Sequence, residues 1–296
     1  MDMTQNKCCR HGASLRRRRR RRGKILRSII FSCSIIAVAV GSSMIRSGDG
    51  RTNRYDVEAG NNTYDNAVIE NSKISEKNKI QNNQSMLDDI MNSTQYPKQL
   101  KDLALKNEEA LEFVYDYPAE HVKEHTIDLT EEASMDSVPL FVQWDKRWGY
   151  EKYSGNFFAA SGCGPTTLSM VVVYLTHNRE ASPIAVAKYS KEAGYSVDGS
   201  GSSWTLISEG CRHYGVKAKT VALDESRMKA ELDAGHPIVI NVGPGDFTDT
   251  GHFMVITGYD DEGFSINDPN SIEKSGKRWL FKNISSQIRA VWSMYV

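Results

Sequence analysis

Cysteine is scarce in this sequence. Five occur in 296 residues, and none belongs to a Cys-x-x-Cys pair. A disulfide-built scaffold and a four-Cys structural zinc site are therefore excluded. No Gly-x-x-x-x-Gly-Lys-Ser/Thr phosphate loop is present, and no internal repeat. Net charge is absent too, with 37 Lys+Arg against 37 Asp+Glu. That balance conceals an asymmetry. Residues 1–54 carry +12, residues 55–135 carry −10, and residues 136–296 carry −2. The total therefore excludes no class of partner. Hydrophobic residues make up 40%, enough for a core, while a mean hydropathy of −0.49 says that part of the chain stays wet.

The sequence divides into zones. Residues 1–27 form an Arg-rich tail, with seven consecutive arginines at Arg16–Arg22. Residues 28–45 follow without a charge. An 18-residue helix of this kind spans about 27 Å, close to the ~30 Å hydrocarbon core. Arginines ahead of an apolar run leave the tail in the cytoplasm and the rest outside. The expectation is a single-pass signal anchor at the cell membrane, Ser28 to Ile45, with an extracytoplasmic domain. The alternative is a secreted protein, cleaved after an apolar core ending near Ala37-Val38-Ala39. An arginine tail for nucleic acid is disfavoured by the adjacent apolar segment, so no nucleic-acid partner is expected. Residues 46–95 are rich in Asn, Ser, Lys and Asp, and read as a disordered stalk. A short helix over residues 85–91 is the one exception considered. Residues 96–136 form a helical lead-in. Leu100, Leu103, Leu105, Leu111, Phe113 and Val114 recur at roughly helical spacing from Pro97, which starts the helix, to Pro118, which stops it.

Residues 137–296 read as one globular domain. Helices are expected over 162–176, 183–192 and 203–214. Strands are expected over 237–242, 252–259, 263–267 and 290–295, with Asp260-Asp261-Glu262-Gly263 as a hairpin turn. Helices first and strands afterwards give an α+β fold with a mainly antiparallel sheet.

Three residues carry the chemistry. Cys163, in Gly162-Cys163-Gly164-Pro165-Thr166-Thr167, opens the strongest helix. There the free backbone N–H groups and the helix dipole favour thiolate over thiol; the bland reading is a small buried cysteine. His252 heads an apolar strand, where an imidazole is held rigidly as a general base requires. Asp268, in Asn267-Asp268-Pro269, ends the next strand. If the two strands form a hairpin, Asp268 neighbours His252 and can fix its tautomer.

In this order, GCGPTTLSMV, GHFMVITGY and INDP resemble the papain-like cysteine peptidases, and more closely cysteine peptidase family 39 and its "39-like" relatives. The resemblance spans about residues 137–296. It implies a papain-like fold and a Cys-His-Asp triad cleaving peptide bonds through a thioester. Cys163 is then the nucleophile, His252 the base and later the acid, and Asp268 the orienting group, with a peptide or protein substrate. It also implies a glutamine that helps bind the oxyanion. The candidate is Gln143, although it lies 20 residues before Cys163 where many relatives place it much nearer. Amide hydrolysis or transpeptidation on cell-wall peptides, or peptide binding without catalysis, remain alternatives. No cofactor and no metal are expected. His121 and His125 lack a third ligand, and His213 and His236 read as structural. Cys211 reads as core. Asp246, Asp249 and Trp204 either shape the cleft or serve as turn and anchor residues.

Overall fold

The computed structural model describes residues 62–296, with side-chain surroundings from residue 73 onward. The tail (1–27), the apolar segment (28–45) and the start of the 46–95 zone lie outside the described residues. Among the described residues, no helix is long and apolar enough to cross a membrane.

Four helices come first: α1 (Asn62–Asn92), α2 (Lys98–Lys106), α3 (Leu111–Tyr115) and α4 (Tyr117–Glu120). A small hairpin of β1 (Lys152–Tyr153) and β2 (Asn156–Phe157) leads into α5 (Phe158–Ser161), α6 (Cys163–Thr176) and α7 (Pro183–Glu192). A second, β3 (Ser196–Val197) with β4 (Gly201–Ser202), precedes α8 (Thr205–Ser208). The remainder is β5 (Lys217–Thr220), α9 (Glu225–Asp233), β6 (Ile238–Val242), β7 (His252–Asp260), β8 (Gly263–Asn267), α10 (Ile272–Ser275), β9 (Arg278–Trp279), α11 (Phe281–Ile284) and β10 (Ile288–Tyr295). Six strands join in the order β5-β10-β6-β7-β8-β9. Every pairing in that sheet is antiparallel, so helices and sheet are arranged as an α+β fold.

Period-two alternation explains why this sheet has a core on each face. Val239, Phe253, Val255, Trp292 and Met294 pack against Leu168, Val171 and Val172 of α6. The intervening Ile238, Ile240, Met254 and Ile256 pack with Met228 of α9, Phe247 and Ile284 of α11. Each fully buried aliphatic side chain contributes roughly 1.5–3 kcal/mol. Helix α6 suits its place because every residue from Gly164 to Val173 is buried. Pro165 falls in its first turn, where a backbone N–H has no helical partner to lose. The helix stops at His177, a left-handed residue with φ 53°. Ser182 then caps α7 by accepting from the Ala185 N–H at 3.3 Å.

Three stretches differ from expectation. The supposed stalk is helical from residue 62 to 92, so the short helix considered over 85–91 is present but is the end of a much longer one. Its last turns are held because Ile90 is fully buried and Met86 and Leu87 pack beside it; a stretch with so few apolar residues gives little sequence signal. The lead-in is not one helix from Pro97 to Pro118. It breaks at Asn107, whose backbone is extended and whose side chain accepts from the Glu109 N–H, and Pro118 lies inside the first turn of α4. The expected helix over 203–214 divides at Glu209–Gly210 into α8 and a 3-10 segment. A Cβ on Gly210 would meet the Tyr195 ring at 3.0 Å, so the chain turns at its closest approach to a neighbour. Strand β5, Lys-Ala-Lys-Thr, escapes the sequence reading because it is a mostly exposed edge.

The lead-in docks on the rest of the domain. Leu100, Leu103, Ala104, Leu111, Phe113 and Val114 share one apolar cluster with Phe157 and Ala159. Lys146 pairs with Asp116 at 2.6 Å, and the Tyr150 hydroxyl donates to the Phe113 carbonyl at 2.8 Å. Truncating the fully buried Ile90 removes the main attachment of α1. Ile90→Ala is expected to cost ~2–4 kcal/mol in urea denaturation. Amide exchange should accelerate over residues 86–92 before it does in α6.

Candidate active site

Cys163 is the first residue of α6, half-buried, with Gly162 as its N-cap. Its two glycine neighbours are demanded by packing. A Cβ on Gly162 would lie 2.6 Å from the Phe158 ring, and one on Gly164 would lie 2.6 Å from Ser202 Oγ. Bare backbone on both sides lets the helix start against these groups with the cysteine facing outward. His252 is the first residue of β7, opposite Val242 in the ladder. Asn241 Nδ2 donates to its carbonyl at 3.2 Å.

The β7–β8 hairpin closes with Asp260 opposite Gly263. Its other end brings Asp268 to His252. The imidazole Nε2–H donates to Asp268 Oδ1 at 2.7 Å, which leaves Nδ1 for the sulfur. Asp268 is itself held in a tight turn. Its backbone N–H donates to Ser275 Oγ at 2.9 Å, and Oδ1 also accepts from the Asn270 N–H at 2.8 Å. Asn267 Nδ2 donates to the Val138 and Pro139 carbonyls at 3.1 Å each, tying the hairpin to the start of the domain.

The electrostatics favour an ion pair. Burial is the largest influence on Cys163 and opposes its ionisation. It is outweighed by the hydrogen bond from His252, by the charge on that ring, and by the backbone N–H groups of Phe253 and Gly164. The thiol consequently titrates below its ordinary range. For His252, burial pulls the pKa down. The Asp268 charge and hydrogen bond, reinforced by Cys163, push it well above the ordinary imidazole range. Cys211 is different: fully buried in the α6 core, its thiol is pushed up to about 11.

Cys163 and His252 open onto a cleft of about 500 Å³. Gln143, Ala160, Cys163 and His252 line its floor, and the loop Gly245–Gly251 lines one side. Helix α2 supplies another wall through Leu103 and Lys106, continued by Asn107 just after it. Asp246 and Asp249 are thus cleft residues, and Asp246 Oδ2 also accepts from Gln287 Nε2 at 2.6 Å. Trp204 anchors instead, edge-on to Trp292 at 6.0 Å. His121 stacks on Tyr117, His213 stacks on Tyr189, and His236 pairs with Glu231. Among the described residues, no group of His, Cys, Asp and Glu is arranged to hold a metal ion.

The model of the Peptidase_C39 like family matches residues 135–296, slightly more than half of the chain. The chain belongs to the Peptidase_C39 like family. Two solved structures are similar to it. One is the peptidase domain of Streptococcus ComA, described as a bi-functional ABC transporter involved in a quorum sensing pathway. It is 18% identical, covering 53% of this chain and 96% of that one, with a TM-score of 0.39. The other, from Bacillus anthracis, is described as a C39-like peptidase. It is 18% identical, covering 54% of this chain and 95% of that one, with a TM-score of 0.34. No curated protein matches.

Within this C39-like domain, Gln143 reaches the cleft despite its distance in sequence. The intervening residues are absorbed by a turn, the β1–β2 hairpin and α5. Its backbone N–H donates to the Pro269 carbonyl at 2.7 Å, and Nε2 donates to the Ala159 carbonyl at 2.7 Å. The second hydrogen on Nε2 remains. Phe253, whose N–H faces the sulfur, was not singled out from sequence, and the α2 residues were read there as an apolar stripe and not as a cleft wall. The first acts through its backbone, which no residue-type pattern records.

The pair of shifts sets a pH window. The thiolate forms as pH rises through the lowered Cys163 pKa, and the imidazolium is lost as pH rises through the raised His252 pKa. Alkylation of Cys163, followed by peptide mass mapping, should already be fast at about pH 6–7, below the ordinary thiol value near ~8.5. Cys211 should stay unlabelled in the same sample. His252→Ala should move the Cys163 midpoint upward by about a unit or more; an unchanged midpoint would show that the ring does not activate the sulfur.

Proposed function

We propose that this chain is a cysteine peptidase that cleaves peptide bonds with Cys163, His252 and Asp268. The observation that carries the reading is that Cys163 and His252 line one open cleft, with His252 Nε2–H on the buried Asp268 Oδ1 at 2.7 Å and the thiol shifted toward thiolate. The Cys163 thiolate attacks the scissile carbonyl carbon, and the carbonyl electrons move onto oxygen. His252 passes its proton to the leaving nitrogen as the C–N bond breaks, giving a thioester and a free amine. Water then attacks the thioester while His252 takes a proton from it. The carboxylate product leaves and the thiolate–imidazolium pair is restored. Asp268 keeps the ring in one tautomer and orientation and offsets its charge.

Gln143 Nε2 and the Cys163 backbone N–H, the first of its helix and without a partner inside it, are the proposed oxyanion donors. By this reading the domain works outside the cytoplasm, tethered through Ser28–Ile45.

The test is turnover of a fluorogenic peptide library by the full chain. Cys163→Ala should abolish it while leaving the melting temperature nearly unchanged. Gln143→Ala should lower kcat by about 10²–10³-fold, the usual loss for one oxyanion donor. Cleavage that survives Cys163→Ala defeats the proposal. A product joined to an added amine would point to acyl transfer in place of hydrolysis.

A further inference from the structure

The turn that carries Asp268 is gripped from outside the family-matched region. Asn107 Nδ2 donates to the Asn270 carbonyl at 2.9 Å and to Asn270 Oδ1 at 3.1 Å. Glu109 Oε1 accepts from Ser271 Oγ. Glu109 Oε2 accepts from the Ile272 N–H at 2.7 Å and the Glu273 N–H at 3.0 Å. The inner side of the same turn holds the active group, since the Asn270 N–H donates to Asp268 Oδ1 at 2.8 Å and the Ser271 N–H to the Asp268 carbonyl at 3.2 Å. Asn270 therefore bonds Asn107 on one side and the Asp268 side chain on the other.

We propose that Glu109, set in place by Asn107, is a positioning residue for the candidate active site: its carboxylate locks the Asp268–Glu273 turn so that Oδ1 stays on His252 Nε2. The inference rests on the role given to Asp268 under the proposed function. Three features separate this from ordinary packing. First, Asn107 Oδ1 accepts from the Glu109 N–H at 3.0 Å, so the pair forms one rigid cap. Second, the lead-in is docked by its own apolar cluster, so the helices stay attached when the carboxylate is removed. Third, Glu109 meets three donors of a single turn, an anchoring that one torsional slip of that turn would undo. Acceptors on a charged group also make the stronger kind of hydrogen bond. Asn107 lines the cleft as well, so the grip and the substrate wall are one element.

The experiment uses the full chain and iodoacetamide as the probe of Cys163, with the pH profile read alongside thermal melting. Glu109→Gln retains the size but loses the charge and one of the two accepting oxygens; Glu109→Ala removes all three contacts. Glu112→Ala, an exposed carboxylate one helical step away, is the control. Glu109→Gln should slow alkylation at about pH 6 by about five- to tenfold, within the coupling range of residues that share one hydrogen-bond network. The profile should move in the direction produced by Asp268→Asn, and adding Glu109→Gln to Asp268→Asn should cause no further change. Glu112→Ala should leave the profile alone.

A wild-type profile for Glu109→Gln and Glu109→Ala, with or without a lower melting temperature, overturns the inference while the proposed function stands. So does a fully additive loss in the double variant, because Glu109 would then act elsewhere. If Asp268→Asn also leaves the profile unchanged, the role of Asp268 in the proposed function fails, and this inference falls with it.

Discussion

The structure of the site depends on one buried hydrogen bond, from His252 Nε2 to Asp268 Oδ1. The two residues stand 16 positions apart, yet both are almost wholly withdrawn from solvent. Only the β7–β8 hairpin brings them to the same end of the sheet. Its register is chosen by the core, not by the polar pair. Ile256 opposes Ile266, and Tyr259 opposes Phe264, with Phe264 and Ile266 buried in the same cluster as Met254 and Ile256. A slip of one residue would turn each of these apolar side chains to the wrong face. The apolar packing, worth far more than any single polar contact, thus fixes where the hairpin sets the Asp268 carboxyl group.

That arrangement has a local cost. Asp268 Oδ2 and Gln143 Oε1 are buried without a hydrogen-bond partner. A buried polar group left unpaired costs about 1–3 kcal/mol. Both oxygens belong to residues of the candidate site, and Asp268 Oδ2 adds negative potential next to His252. The same placement that disfavours the fold favours an imidazolium over a neutral ring, and an imidazolium favours the Cys163 thiolate.

The legible parts of this molecule are those in which residue type and position coincide. Cys163 between two glycines at a helix start, His252 at the head of an apolar strand, and Asp268 after a strand end could each be read because the elements carrying them are apolar and well bounded. Strands β6, β7 and β8 and helix α7 were readable for the same reason. The edge strand β5 was not, since Lys217 and Lys219 give it no apolar alternation. Of helix α1 only the stretch over residues 85–91 was, where Met86, Leu87 and Ile90 pack. The break at Asn107 was hidden by leucines on both sides that keep helical spacing across it. An Asn followed by two Glu is a capping pattern, and it was the one available sign that Glu109 does something other than solvate a helix. Its target, Ser271, lies 162 residues away, and no local pattern reports a contact of that range. The oxyanion candidate Gln143 could be named only with an unusual spacing, which the β1–β2 hairpin and α5 account for.

The lead-in has consequences for where the working unit begins. The family-matched region starts at residue 135, but the cleft does not close within it. Leu103, Lys106 and Asn107 form one wall, and the apolar stripe behind them covers Phe157 and Ala159. Ala159 is also the carbonyl that fixes the Gln143 amide. Without α2 and α3, that surface would be bare apolar area four residues upstream of the nucleophile candidate, and the turn bearing Asp268 would lose its outer hold. The helical lead-in therefore supplies a wall, a buttress and a cover. Each acts on a residue the sequence motif already identifies, so the site and its lead-in form a single physical unit.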